Sequence, residues 1–153
     1  MVAPVALDLD LPPAYEERVV CCIAASLEYY VPVDVLLAVA ELENGKVGTI
    51  SRNRNGTYDV GPMQFNSSYL AELSQFGITQ EDVNKEGCYP YRLAAWRIKN
   101  HIENDQGDIW TKAANYHSKT PVYNARYRSN LIAAARRWAG WLQTKFRLHL
   151  FKD

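Results

Sequence analysis

Residues 33–44, VDVLLAVAELEN, constrain the fold more than any other stretch of this chain. They read as a helix that stops at Asn44-Gly45. At 3.6 residues per turn, Val35, Leu42, Val39, Leu36, Ala40 and Leu37 fall on one apolar arc, from roughly 180° round to roughly 40° with Val33 at zero. A helix so apolar must lie in a core. Asp34 and Glu41 share the remaining polar side. Glu43 falls at roughly 280°, between Val39 and Leu36, inside the arc. An unpaired carboxylate there is costly to bury, and the usual response is a raised pKa. The carbonyl end of a helix pushes the same way. A carboxylic acid kept protonated near neutral pH is what a general acid needs. The competing reading puts Glu43 at the rim of the core, bonded to an arginine or a backbone NH.

Around this helix the chain reads as one mainly α domain over residues 12–150, preceded by a flexible arm over 1–11. Pro12-Pro13 opens a helix through Tyr30, with Val19, Ile23, Leu27 and Tyr30 at helical spacing. Asp34 is the expected N-terminal residue of the second helix. Residues 46–60 carry the signals of a small β-hairpin, with a turn at Asn55-Gly56. Ser67 is placed to cap a short helix that Gly77 ends, and Thr79 with Asp82 suggests one more helical turn. YRLAAWRIKNHIEN is amphipathic, Asp108 caps a following helix, and Pro121 opens a long last one. Its stripe runs Leu131, Ala135, Trp138, Leu142 and Phe146.

The 17 basic and 17 acidic residues cancel. That balance argues against a generic nucleic-acid partner. No apolar run approaches the roughly 20 residues that span a bilayer. MVAPVALDLDLPP lacks the basic start and uninterrupted apolar stretch of a signal peptide. Cys21, Cys22 and Cys88 leave two readings side by side. Either they are buried thiols, or one of the adjacent pair is bridged to Cys88 with a thiol left over. His101, His117 and His149 share no metal-binding spacing, and no metal or cofactor is expected. The loop at 51–62 has Ser51 and Pro62 where a calcium loop needs acids.

Glu43-Asn44-Gly45 is followed by Asn55-Gly56-Thr57-Tyr58-Asp59-Val60-Gly61-Pro62-Met63-Gln64-Phe65-Asn66. This order resembles the lytic transglycosylases of the lysozyme-like superfamily. The likeness is strongest to the small branch accompanying type IV and type III secretion systems and conjugation machinery. There the helix ends in E-S-G and the loop reads N-G-T-x-D-x-G-L-M-Q-I-N. Cys21 and Cys88 match the branch's two cysteines. Tyr116-His117-Ser118 matches its Y-N-A motif, and Tyr123 or Tyr127 a later tyrosine. The resemblance covers roughly Cys21 to Trp138. Asn44 replaces Ser, Pro62 replaces Leu, and His117-Ser118 replace Asn-Ala.

The resemblance implies a lysozyme-like α+β fold and cleavage of peptidoglycan in the periplasm or cell envelope, for a secretion or conjugation apparatus. It makes Glu43 the single acid/base and places Met63, Gln64, Asn66, Tyr116, His117 and Tyr127 along the sugar groove. It pairs Cys21 with Cys88. Asp59, the only nearby second acid, is expected to bond loop NH groups. Three alternatives are a lysozyme-type hydrolase, a peptidoglycan-binding scaffold without turnover, and an interaction protein. The last would use Arg126, Arg128, Arg136, Arg137, Trp138 and Trp141 as a basic aromatic face.

Overall fold

The computed structural model describes residues 11–150. The arm expected over residues 1–11 lies outside it except for Leu11, which packs on the core. Two helices come first, α1 (Pro13–Tyr29) and α2 (Val33–Glu43). Short strands β1 (Ile50–Arg52), β2 (Tyr58–Val60) and β3 (Phe65–Asn66) follow, with α3 (Ser67–Leu73) directly after. The chain then returns to α4 (Tyr89–Asn104), α5 (Ile109–Ala114) and α6 (Pro121–Leu150). The domain is mainly α with one small antiparallel sheet of order β1-β2-β3.

The central helix is α2, buried continuously from Val35 to Ala40 as its apolar arc requires. It packs against α6 and α1, α1 packs on α4, and α5 lies on α6. Pro32 rather than Asp34 stands at its N-cap. Proline's fixed φ prepares the helical turn, and Asp34 accepts the Val35 NH from inside it.

The face of α1 differs from the expected stripe. Val19 is buried, but Leu27 is 69% and Tyr30 89% exposed. The buried face is made of Cys21, Cys22, Ala25 and Ser26. These small side chains let α1 approach α4, and a Cys21–Cys88 disulfide ties the two. Cys22 is the buried free thiol, and burial pushes its pKa up and leaves it inert.

The hairpin forms as expected, with Gly56 at φ 88 in its turn. Ser51 stands opposite Asp59 in β1–β2, and Asp59 opposite Asn66 in β2–β3. The third strand has no signal in the sequence, because two residues carry no periodicity. Asn66, not Ser67, caps α3, its Oδ1 accepting the Ser68 NH. Thr79 and Asp82 exchange their capping bonds, yet residues 80–88 are turns and bends and the helix starts only at Tyr89. Asp108 caps α5 as expected, accepting the Thr111 NH.

Candidate active site

The last turn of α2 delivers Glu43 to the floor of a groove of about 480 Å³. Asn44 adopts a left-handed conformation (φ 45) that ends the helix. Gly45 then donates its NH to the Pro62 carbonyl, which docks the chain on the loop after β2. Only glycine fits there: a Cβ would collide with the Gly61 carbonyl oxygen. Gln64 holds a strained positive φ of 54. Its Nε2 donates to Gly61 O at 2.9 Å, fixing the amide at the groove wall.

Glu43 lies partly under the surface, and burial raises its pKa to about 7. The hydroxyl of Tyr127 donates to its Oε2 at 2.7 Å and opposes part of that rise. The charge of Asp59 adds to it, and that of Arg97 subtracts. No cation stands within ion-pair distance of Glu43 among the described residues. The acid is therefore held by a tyrosine, not by the arginine or backbone NH of the competing reading. His117 stacks on Tyr127 with ring centroids 4.6 Å apart and planes 4° apart. It keeps one face on the tyrosine and the other toward solvent, and burial lowers its pKa. Near neutral pH it is therefore a neutral imidazole stacked on the ring that holds Glu43.

Asp59 lines the same groove. Two side-chain amides grip it: Asn53 Nδ2 at 3.2 Å from Oδ2 and Asn66 Nδ2 at 3.0 Å from Oδ1. The expected bonds to loop NH groups are replaced by these amides, because strand register sets Asn66 opposite Asp59.

Of the six assigned groove residues, Met63 and Tyr127 do not line it, and Tyr116 and Asn66 line it with their polar groups already engaged. Met63 is fully buried and does not line the groove. The turn that strains Gln64 sends the methionine into the core, and only its carbonyl remains useful. That carbonyl accepts the Tyr116 hydroxyl at 2.7 Å, so this phenol is spent inside the protein and Tyr116 offers the groove its ring. Asn66 lines the groove, but Ser68, Thr57 and Asp59 occupy its amide. Gln64 and His117 do line it, and Tyr127 is buried behind Glu43.

Two further features of the site lie outside the sequence motifs. Arg97 of α4 reaches the groove, its guanidinium 4.0 Å from the Tyr69 ring centre and 4.4 Å from that of Tyr116. Helical phase could have found it. With Tyr91 at zero, Arg97 falls at roughly 240°, between Leu93 at roughly 200° and His101 at roughly 280°. The second is a buried polar chain beneath the Tyr116-His117-Ser118 turn. Asn124 donates to Thr111 O, Asn115 Oδ1 and Ser118 O. Asn115 in turn donates to Asp105, which also bonds His101 at 2.6 Å. No local pattern announces such a network.

On α6 the proposed basic face is partly tied down. Arg137 bridges Glu41, and Arg128 donates to Thr111 Oγ1. No helix among the described residues is long and apolar enough to cross a membrane.

No family model matches the chain. It is 28% identical over 101 residues to the invasion protein IagB of Salmonella typhimurium, covering 65% of this chain and 62% of that relative. It is 29% identical over 104 residues to protein IpgF of Shigella flexneri, covering 67% of this chain and 68% of the relative. The match to protein IpgF of Shigella sonnei is 29% over 107 residues. The chain thus resembles these proteins over its larger part, and spans 62% of the length of IagB.

Proposed function

We propose that this chain cleaves the glycan strands of peptidoglycan as a lytic transglycosylase, at the bond between N-acetylmuramic acid and N-acetylglucosamine. The observation that carries the reading is Glu43: a carboxyl on a groove floor, kept protonated up to about pH 7 by burial and touched by one hydroxyl. Protonated Glu43 gives its proton to the glycosidic oxygen. The muramic N-acetyl group helps stabilise the cationic intermediate. Tyr127, already bonded to Oε2, stabilises the carboxylate that results. Glu43 then takes the proton of the muramic 6-hydroxyl, and a 1,6-anhydro ring closes without water. The mainly α fold, the Gly61–Gln64 loop against Gly45 and the Cys21–Cys88 bridge support the lysozyme-like family reading. So does the likeness to an invasion protein, which fits local opening of the cell wall in the periplasm or envelope for a secretion or conjugation apparatus.

Asp59 favours a second reading. Two carboxyls flanking the scissile bond are the usual glycosidase arrangement. With Asp59 gripped by two amides in the same groove as a protonated Glu43, the same fold serves a lysozyme-type hydrolase. Product masses from purified peptidoglycan separate the two. Muropeptides one water lighter than hydrolysed ones are the expected result, and ordinary reducing ends make the chain a hydrolase. Asp59→Asn retains turnover in the first case and loses it in the second. Release of no muropeptide at all would leave a scaffold.

A further inference from the structure

Arg97 is half-buried, yet it makes no ion pair among the described residues. Its Nε is buried and has no hydrogen-bond partner. Arg92, Arg137 and Arg18 are matched to Glu28, Glu41 and Asn44, and the arginines that share its isolation, such as Arg52, Arg54, Arg126 and Arg136, are exposed to water. A partly desolvated guanidinium without an anion is costly, and a Leu or Met would pack between two rings without that cost. The fold instead builds a cradle for the charge. Tyr69 and Tyr116 flank the guanidinium, and buried Phe65 backs both rings at centroid distances of 6.0 and 6.2 Å. The Tyr116 hydroxyl pins its ring to Met63 O. Cation–π contact offsets the lost hydration and holds the fork in one orientation before any ligand arrives.

The position of Arg97 is as telling as its isolation. A second cavity of about 590 Å³ adjoins the catalytic groove, and the two share Asn66, Arg97, His117 and Ser118. Its walls carry Asn100, Asn115 and a second cation, Lys119, together with the rings of Tyr69 and Trp96 and one acid, Glu72, which makes no ion pair with Arg97. Lys119 is only loosely engaged, 3.8 Å from Asp105. A cation preorganised at the mouth of a polar side arm is a receptor for a planar anion on a branch leaving the main strand.

We propose that Arg97 receives a substrate carboxylate, a free acid of the peptide stem that N-acetylmuramic acid carries on its lactyl group. The stem leaves the glycan beside the scissile bond and enters the second arm. The idea rests on the peptidoglycan reading above, and it makes the stem a determinant of cleavage rather than a passenger.

The test compares intact peptidoglycan with the same peptidoglycan whose stem carboxylates are capped as neutral amides by carbodiimide coupling to methylamine, using wild type, Arg97→Gln and Arg97→Lys. Wild type is expected to favour strands with free stem acids by about tenfold or more in kcat/KM, the worth of one charge-assisted bond. In Arg97→Gln that ratio falls toward one, and in Arg97→Lys, which keeps the charge but not the fork, it lies between. A wild-type ratio near one overturns the proposal, as does an Arg97→Gln ratio equal to wild type. A shift of the pH profile on both substrates with the ratio intact would mean that Arg97 acts only on Glu43, and would also overturn it. Should Arg97→Gln lose its melting transition, the lysine variant carries the comparison. A wild type inert toward both substrates would overturn the glycosidase reading itself, and this inference with it.

Discussion

The outer and inner faces of the last turn of α2 carry the same side chain in two environments. Glu41 points outward, and both of its oxygens accept from Arg137 of α6, at 3.1 and 3.0 Å. Glu43 points inward to the groove, meets a tyrosine hydroxyl, and has its pKa raised to about 7 by burial. Two residues of helix separate an acid that staples a surface from one that keeps its proton. The difference comes from what surrounds each carboxyl, and helical phase assigns the surroundings.

The contrast breaks most completely if the inner face loses its footing. A methyl group at Gly45 would drive into the Gly61 carbonyl and crowd Gln64. Gly45→Ala should therefore cost at least about 3 kcal/mol in a denaturant melt, among the larger effects of a single substitution. A loss under about 1 kcal/mol would show that the junction between Glu43 and the loop yields easily.

Next comes the proton itself. The folded-state pKa of Glu43 lies above its ordinary 4.5, so the folded chain binds the extra proton. Stability from this group is fully present below 4.5 and is lost as pH rises through about 7. Glu43→Gln escapes that loss. Above neutral pH it should be more stable than wild type by on the order of 2 kcal/mol, an advantage that vanishes in acid. Parallel stability–pH curves for the two proteins would contradict a buried, protonated Glu43.

Tyr127→Phe sharpens the contrast with a smaller effect. The phenol favours the carboxylate, so its loss raises the Glu43 pKa further. The basic limb of the pH–rate profile, where Glu43 loses its proton, should move to higher pH. The rate should fall by about tenfold at most, the value of one hydrogen bond. A limb that moves to lower pH would reverse the role assigned to Tyr127. The outer face gives the least. Glu41→Gln breaks an exposed bridge and should leave the cleavage rate within about twofold of wild type.

Much of this site is legible in the sequence because α2 is long enough for its phase to be counted. The phase of Glu43 comes from the helix alone. Arg97 obeys the same rule on α4, but a cation in an amphipathic helix draws no notice until its neighbours are known. Met63 shows the limit of motif reading. A motif names the residue and not its direction, and the positive φ of the following Gln64 turns Met63 inward. On α1 the largest apolar residues suggest the buried face, whereas the close approach to α4 requires the small ones, Cys21, Cys22 and Ala25. The polar chain from His101 to Asn124 joins three helical elements and has no signature in any one of them.

Release of soluble muropeptides from purified peptidoglycan by wild type and Glu43→Gln tests most directly whether the inward acid breaks the glycan. The glutamine variant should bind the polymer, melt cooperatively and release product about a thousandfold more slowly or not at all, as expected for loss of a general acid. Release at the wild-type rate would contradict that role for Glu43.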